Sequence, residues 1–258
     1  MSSGFFSIGL GGLAVAQLNL LATEHNIVNA NTEGYTRQRV LQSANVGVMA
    51  GTGAIGQGVT AVTTERLYDR FVTAQVNTAQ TETSSLEAYY GQISQIDAML
   101  ADSSAGISPA LQDFFAGVQQ VAANPSLLPA RQSMISSAQT MVSRFQSMST
   151  RLDELGTQVN DRITNAVSEV NDFAAQIAKL NGSIRNAESS YGQPANDLRD
   201  QRDQLVNEIN KRIKVTTTSN ADGTYNLFIG SGQQLVVGTT VVELTAQGSK
   251  ADSSKIVV

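Results

Sequence analysis

The chain has no cysteine, no tryptophan and a single histidine among 258 residues. The missing thiols exclude disulfides, thiolate zinc sites, iron–sulfur clusters and cysteine nucleophiles. One histidine excludes multi-histidine metal sites and supports no Ser/His/Asp arrangement. With aromatics at only 5%, stacking platforms for bases or sugars are hard to assemble. The balance of 17 Lys+Arg against 22 Asp+Glu gives a net charge of -5 with no basic block, which argues against a nucleic-acid partner. Charge is also missing locally, since no side chain from Met1 to Thr23 carries one. A charge-free, apolar N-terminus has to be hidden from water.

Two conventional hiding places fit poorly. A secretory signal needs a basic start, and Met1-Ser2-Ser3-Gly4-Phe5-Phe6 has none. A helix over Gly4 to Ala22 would span roughly 28 Å, close to a bilayer core of roughly 30 Å. Against a membrane stand Gly9, Gly11, Gly12, the amides Gln17 and Asn19, and no flanking basic anchors. A membrane-associated or pore-forming helical protein that inserts this helix is the alternative reading.

What is present is helical periodicity. Phe6, Leu10, Leu13, Gln17, Leu20, Glu24 and Ile27 recur at alternating spacings of four and three, as in a coiled-coil seam. Leu10, Ala14, Leu21 and Val28 widen that stripe, and a helix so apolar needs partners. Asn29 to Gly34 ends it, because Asn and Gly tolerate left-handed backbone angles. Tyr35 to Thr64 carries Gly47, Gly51, Gly53, Gly56 and Gly58 and no helical period, and reads as an extended connector.

Helical signals return at Glu65, with Leu67, Phe71, Ala74, Thr78 and Thr81 in one stripe and Leu86, Tyr89, Ile93, Ile96 and Leu100 in another. Asp102 to Gly106 breaks it. Ser108-Pro109 reads as the cap and first turn of a short helix that buries Leu111, Phe114, Phe115, Val118 and Val121. A long helix follows from about Ser126 to Ser189, with kink points at Pro129 or Gly156 and a seam of Ile163, Ala166, Val170, Phe173, Ile177, Leu180 and Ile184. A last helix points Leu198, Leu205, Ile209 and Ile213 inward.

Val215–Thr218, Tyr225–Ile229, Gln234–Val237 and Val241–Leu244 then read as strands without helical cover, cut short at Val258. The expected class is mainly α: an elongated helical bundle with coiled-coil-like long helices, an extended N-terminal connector and the beginning of a β-rich domain. The expected divisions are 1–32, 33–64, 65–213 and 214–258.

No motif carries chemistry. Gly9-Leu10-Gly11-Gly12 lacks the preceding strand and following lysine of a phosphate loop, and reads as close helix approach. His25 reads as a surface or interface residue. Asp197, Asp200 and Asp203 share one helix face and could hold a hard cation. Arg199 and Arg202 interleave them, and Arg131, Arg144, Arg151 and Arg162 lie on the long helix, so an intramolecular salt-bridge helix of Asp197, Arg199, Asp200, Arg202 and Asp203 is the better reading. The Asn181-Gly182-Ser183 sequon is common by chance. No catalytic residue, cofactor or metal site is expected.

Ala22 to Gln38, with Asn26, Asn29, Ala30, Asn31, Thr32, Gly34 and Tyr35, resembles the N-terminal motif of bacterial flagellar axial proteins. Gly56-Gln57-Gly58-Val59, Glu65 to Phe71, Phe114-Phe115, Ala123-Asn124-Pro125, Arg131-Gln132 and Asp197 to Asp203 narrow the similarity to the hook–filament junction proteins. The resemblance implies a protein without enzymatic activity, a homo-oligomeric ring between hook and filament, and contacts with the hook protein and a second junction protein. It also implies type III export, without a cleaved signal peptide, to an extracellular place on the flagellum. A chaperone would assist before export, with no nucleic acid and no membrane among the partners.

On this resemblance, Phe6, Leu10, Leu13, Leu20, Ile27, Asn26, Asn29, Asn31, Thr32, Gly34 and Tyr35 form the subunit-assembly interface. The family pairs this helix with one from the chain's C-terminus. No second such segment is present, so residues 1 to 64 are expected to be poorly ordered and without intramolecular packing in an isolated monomer.

Overall fold

The computed structural model describes residues 2–50, 53–101, 106–230 and 232–258. The fold is mainly α, with helices α1 (Ser2–Val28), α2 (Arg70–Leu100), α3 (Ile107–Ala123), α4 (Leu128–Tyr191) and α5 (Asn196–Asn210). Strands β1 (Gln38–Ala44), β2 (Val48–Ala50), β3 (Gly53–Ile55) and β4 (Val59–Arg66) separate α1 from α2. After α5 come β5 (Val215–Ser219), β6 (Tyr225–Ile229), β7 (Gln233–Val237), β8 (Thr240–Val241), β9 (Gln247–Gly248) and β10 (Ile256–Val257). The chain divides into two compact units, one of residues 1–81 and 169–244, the other of 82–168 and 245–258. The boundary expected at 213/214 falls inside the first unit.

In the first unit the expected structureless connector is a β-ribbon. β1 pairs antiparallel with β4 around a bulge at Leu41/Gln42, and β2 pairs with β3. Thr and Val dominate β4, and β-branched residues suit a pleated surface. The helix expected from Glu65 is therefore a strand up to Arg66. It starts instead where Asp69 Oδ1 accepts the Phe71 and Val72 N–H groups at 2.8 and 3.2 Å, capping α2.

α1 packs on β1 and β4, which corrects the expectation of an unpacked N-terminus. Its inward face runs Ile8, Gly11, Gly12, Val15, Ala22, His25 and Asn26, and Val15 is 5% exposed. Of its glycines, Gly11 serves this contact. A Cβ on Gly11 would lie 3.0 Å from the Val59 carbonyl oxygen, so a strand, not another helix, makes the close approach.

The sheet β5-β6-β7-β8 is an antiparallel meander. It is not bare: Val170, Ala174, Ile177 and Ala178 of α4 and Val206 and Ile209 of α5 share one core with Val215, Leu227, Ile229, Leu235 and Val236. The α4 seam and the first three strands were legible, but the fourth is Thr240–Val241 rather than Val241–Leu244, and the common interior was not legible.

In the second unit α3 begins at Ile107 after Gly106, without a side-chain cap, so Ser108 is not the cap. The break expected at Asp102 to Gly106 otherwise lies outside the described residues. The buried face of α3 is Ala110 and Gly117, while Leu111, Phe115 and Val118 are exposed. The reason is steric: a Cβ on Gly117 would meet Met134 Cα at 3.1 Å, a separation that bulky residues could not allow. α4 is a single 64-residue helix that starts at Leu128, tolerates Pro129 in its first turn and continues through Gly156. Asn160 fastens the β9–β10 hairpin to it, donating to Ser254 O at 2.6 Å and accepting from Ile256 N at 3.1 Å.

Candidate functional site: an apolar helix face on a polar splint

The outward face of α1 is the residue set read as a seam. Phe6, Leu10, Leu13, Leu20 and Ile27 are 76, 71, 57, 70 and 70% exposed. Burying a side chain of this size contributes roughly 1.5–3 kcal/mol. Exposed apolar patches of this kind are, in proteins generally, where partners dock.

Asn26, Asn29 and Tyr35 do different work from that expected. Asn26 Nδ2 donates to Gln38 O at 2.8 Å, and its Oδ1 accepts from Gln38 N and from the Tyr35 hydroxyl, both at 2.8 Å. The tyrosine's one proton is spent there, so the 2.9 Å contact to His25 takes its proton from Nδ1–H. Asn29 Nδ2 donates back to His25 O at 3.0 Å, and Thr32 Oγ1 to Asn29 Oδ1 at 3.3 Å. These side chains splint the end of α1 to the start of the ribbon within one subunit. Asn31 is exposed. Burial, reinforced by Asp197 and Asp200, raises the Tyr35 hydroxyl and keeps it a donor.

Gly34 turns the chain with φ +79° against Gln204 of α5, whose side chain a Cβ would approach to 3.1 Å. The substitution Gly34→Ala is expected to lose roughly 1–2 kcal/mol for a left-handed non-glycine residue, read as a lower melting temperature.

The aspartates of α5 hold the ribbon. Arg66 Nη1 donates to Asp200 Oδ1 at 2.6 Å and Asp203 Oδ2 at 2.8 Å, with side chains 6, 8 and 13% exposed. Asp200 Oδ2 accepts Thr36 N at 2.9 Å, and Asp197 Oδ1 accepts Gln38 Nε2 at 2.9 Å. The partner is therefore Arg66, not the arginines of the long helix. Burial works against the Arg66 charge, yet Asp203 and Asp200 raise its pKa overall. A guanidinium lies between the carboxylates that could have held a cation, and no cluster of three metal-ligating side chains occurs among the described residues.

On the other side of α5, Arg199 makes a two-point bond with Glu188 of α4, at 2.7 and 2.8 Å. Burial raises the Glu188 carboxyl, but Arg199 and the Ala195 N–H lower it further, below the usual glutamate value. A carboxylate depressed on folding stabilises above its unfolded value, and that contribution is lost as pH falls through the folded one. Glu188→Gln should thus melt below wild type at pH 7, with the gap closing below about pH 4.5 in melts followed by circular dichroism.

Arg202 is 1% exposed and lies 3.4 Å over the Tyr225 ring. Its Nη1 donates to Asn181 Oδ1 at 2.8 Å and Gly223 O at 2.7 Å. Asn181, fully buried, also accepts Tyr225 N and donates to Tyr225 O and Gly238 O. The sequon is therefore an internal strut that a glycan could not reach. Sequence reasoning passed over Asn181 and Arg66. For Asn181 a signal existed, since it falls on the apolar stripe between Ile177 and Ile184, where a polar residue marks a buried hydrogen-bonding job.

Residues 93–258 match the family model described as the flagellar hook-associated protein FlgK helical domain. Flagellar hook-associated protein 1 of Salmonella typhimurium is 40% identical, over 99% of this chain and 46% of that protein. Its Escherichia coli K12 counterpart is 37% identical, over 99% and 47%. The chain spans about half the length of these curated relatives. The flagellar hook junction protein FlgK from Burkholderia pseudomallei is similar in structure, with a TM-score of 0.66 at 35% identity, covering 71% of this chain and 32% of that one.

Proposed function

The chain belongs to the flagellar hook-associated protein FlgK family, and from that premise we propose that it is a structural, non-enzymatic subunit of the bacterial flagellum, acting as an adaptor at the hook–filament junction. The observation that carries this reading is the exposed row Phe6, Leu10, Leu13, Leu20 and Ile27 on a helix whose opposite face is already fastened to the ribbon. The row assembles with neighbouring axial subunits into a homo-oligomeric ring. The reading extends to contacts with the hook protein and the second junction protein, and to export with chaperone help and without a cleaved signal to the extracellular flagellum.

The double substitution Leu13→Asp/Leu20→Asp is expected to leave the melting temperature of the isolated chain near wild type, because both side chains already face water. Carried in the gene of a motile strain, it should abolish swimming and give hooks that form but hold no filament. Filaments that stay attached would overturn the reading.

One observation favours a second reading: Phe6–Val28 is long and apolar enough to cross a membrane and only 6% buried. Liposome flotation separates the two. Flotation of the intact chain that vanishes on deletion of residues 1–32 would favour membrane insertion.

A further inference from the structure

A cavity of about 200 Å³ lies beside the start of α5. Its wall carries four guanidinium groups, Arg66, Arg70, Arg199 and Arg202, of which Arg66 is paired with Asp200 and Asp203 and Arg199 with Glu188, and a single carboxylate, Glu65, itself paired with Arg39. These guanidinium donors are incompletely used. Arg66 spends Nη1 on its aspartates, and Arg199 spends Nε and Nη2 on Glu188. Arg70 is exposed and makes no ion pair among the described residues.

Arg202 is the informative member. It is 1% exposed, is held by neutral acceptors, and its Nε has no hydrogen-bond partner. Buried donors are seldom left this way. The rings of Tyr68 and Tyr225, also in the wall, lie 4.8 and 3.4 Å from the Arg66 and Arg202 guanidinium carbons and fix those planes. α5 starts at the same wall, at Asn196, with no side-chain cap on its first turn. The N–H groups of an uncapped helix start add to the attraction for negative charge.

We propose that this cavity binds a small oxyanion, either a free sulfate- or phosphate-like ion or a side-chain carboxylate, through Arg70, Arg199 and Arg202. Thermal melts and calorimetric titration of the 258-residue chain test it, with sodium sulfate and sodium acetate as probes and ionic strength held constant with sodium chloride. Saturable stabilisation is expected with at least one probe. Arg70→Gln should weaken it roughly tenfold without changing the ligand-free melt, since a charge-assisted donor is removed from an exposed position.

Glu65→Gln, which removes the one negative charge in the wall, should tighten binding about threefold or more, a gain that a folding defect cannot imitate. Sulfate binding tighter than acetate supports a free tetrahedral ion as the ligand. Acetate binding tighter supports a carboxylate side chain. A shift that chloride reproduces, or affinities unmoved by both substitutions, would overturn the proposal.

Discussion

Asn181→Ala is expected to lose about 3–5 kcal/mol. The side chain is fully buried and makes four hydrogen bonds, donating at 2.9 and 2.6 Å to Tyr225 O and Gly238 O and accepting at 3.0 and 2.8 Å from Tyr225 N and Arg202 Nη1. Truncation strands one strand carbonyl, one turn carbonyl, one strand amide and, most costly, part of a buried guanidinium. Total stabilities of about 5–15 kcal/mol make that a large fraction. In a domain of this size it corresponds to roughly 10 °C of melting temperature.

The remedy follows from the same argument. Removing the charge as well, in Asn181→Leu/Arg202→Met, should destabilise by clearly less than the sum of the two single substitutions, because the partner left unpaired accounts for most of each single loss. Strict additivity in this double-mutant cycle would show that the two residues are not one unit.

Arg66→Ala is the second large effect, and it is expected to be local. Asp200 and Asp203, 8 and 13% exposed, would face each other without their shared cation, at a cost of about 3–5 kcal/mol. Arg66 ends β4, and Asp200 also holds the Thr36 amide, so the loss falls on the docking of the ribbon against α5. Hydrogen exchange should speed up across residues 38–66 while the amides of β5–β7 keep their protection. Arg66→Lys should be intermediate, since it keeps the charge but replaces a flat guanidinium lying over the Tyr68 ring with a compact, strongly hydrated ammonium. The ribbon is what α1 packs on, so the assembly reading adds a consequence: Arg66→Ala should also weaken filament attachment, although residue 66 lies far in sequence from the exposed row.

Particular elements show how far the sequence could be read. The 4-3 spacing of α1 and the α4 seam through Val170, Ile177 and Ile184 are local periodicities, and both helices are where those patterns put them. The ribbon was missed because Gly and Thr mask its alternation, and because its stability comes from cross-strand pairing, which a single strand does not display. The inward face of α3 was only partly read: Phe114 and Val121 are half-buried beside Ala110 and Gly117, whereas Leu111, Phe115 and Val118 face out, because the close approach at Gly117 sets which side meets Met134. The clamp at Asp200 and Asp203 was recognised as a charged face, but the residue that fills it lies 134 positions earlier in the chain.

The sequence by itself determined the mainly helical class, the first three strands after α5, the lack of cysteine and of a second histidine, and an N-terminal helix with no charged side chain before Glu24. Those follow from composition and from periodicities of a few residues. Only the tertiary structure decided which face of α1 is already occupied, that Asn26 and Tyr35 splint one subunit, and which of the 17 basic residues neutralises the α5 aspartates. The reason is physical. Helix and strand preferences act between near neighbours, whereas the pairing of buried polar groups is settled by which distant elements come within about 3 Å of each other, a distance fixed only when the core closes.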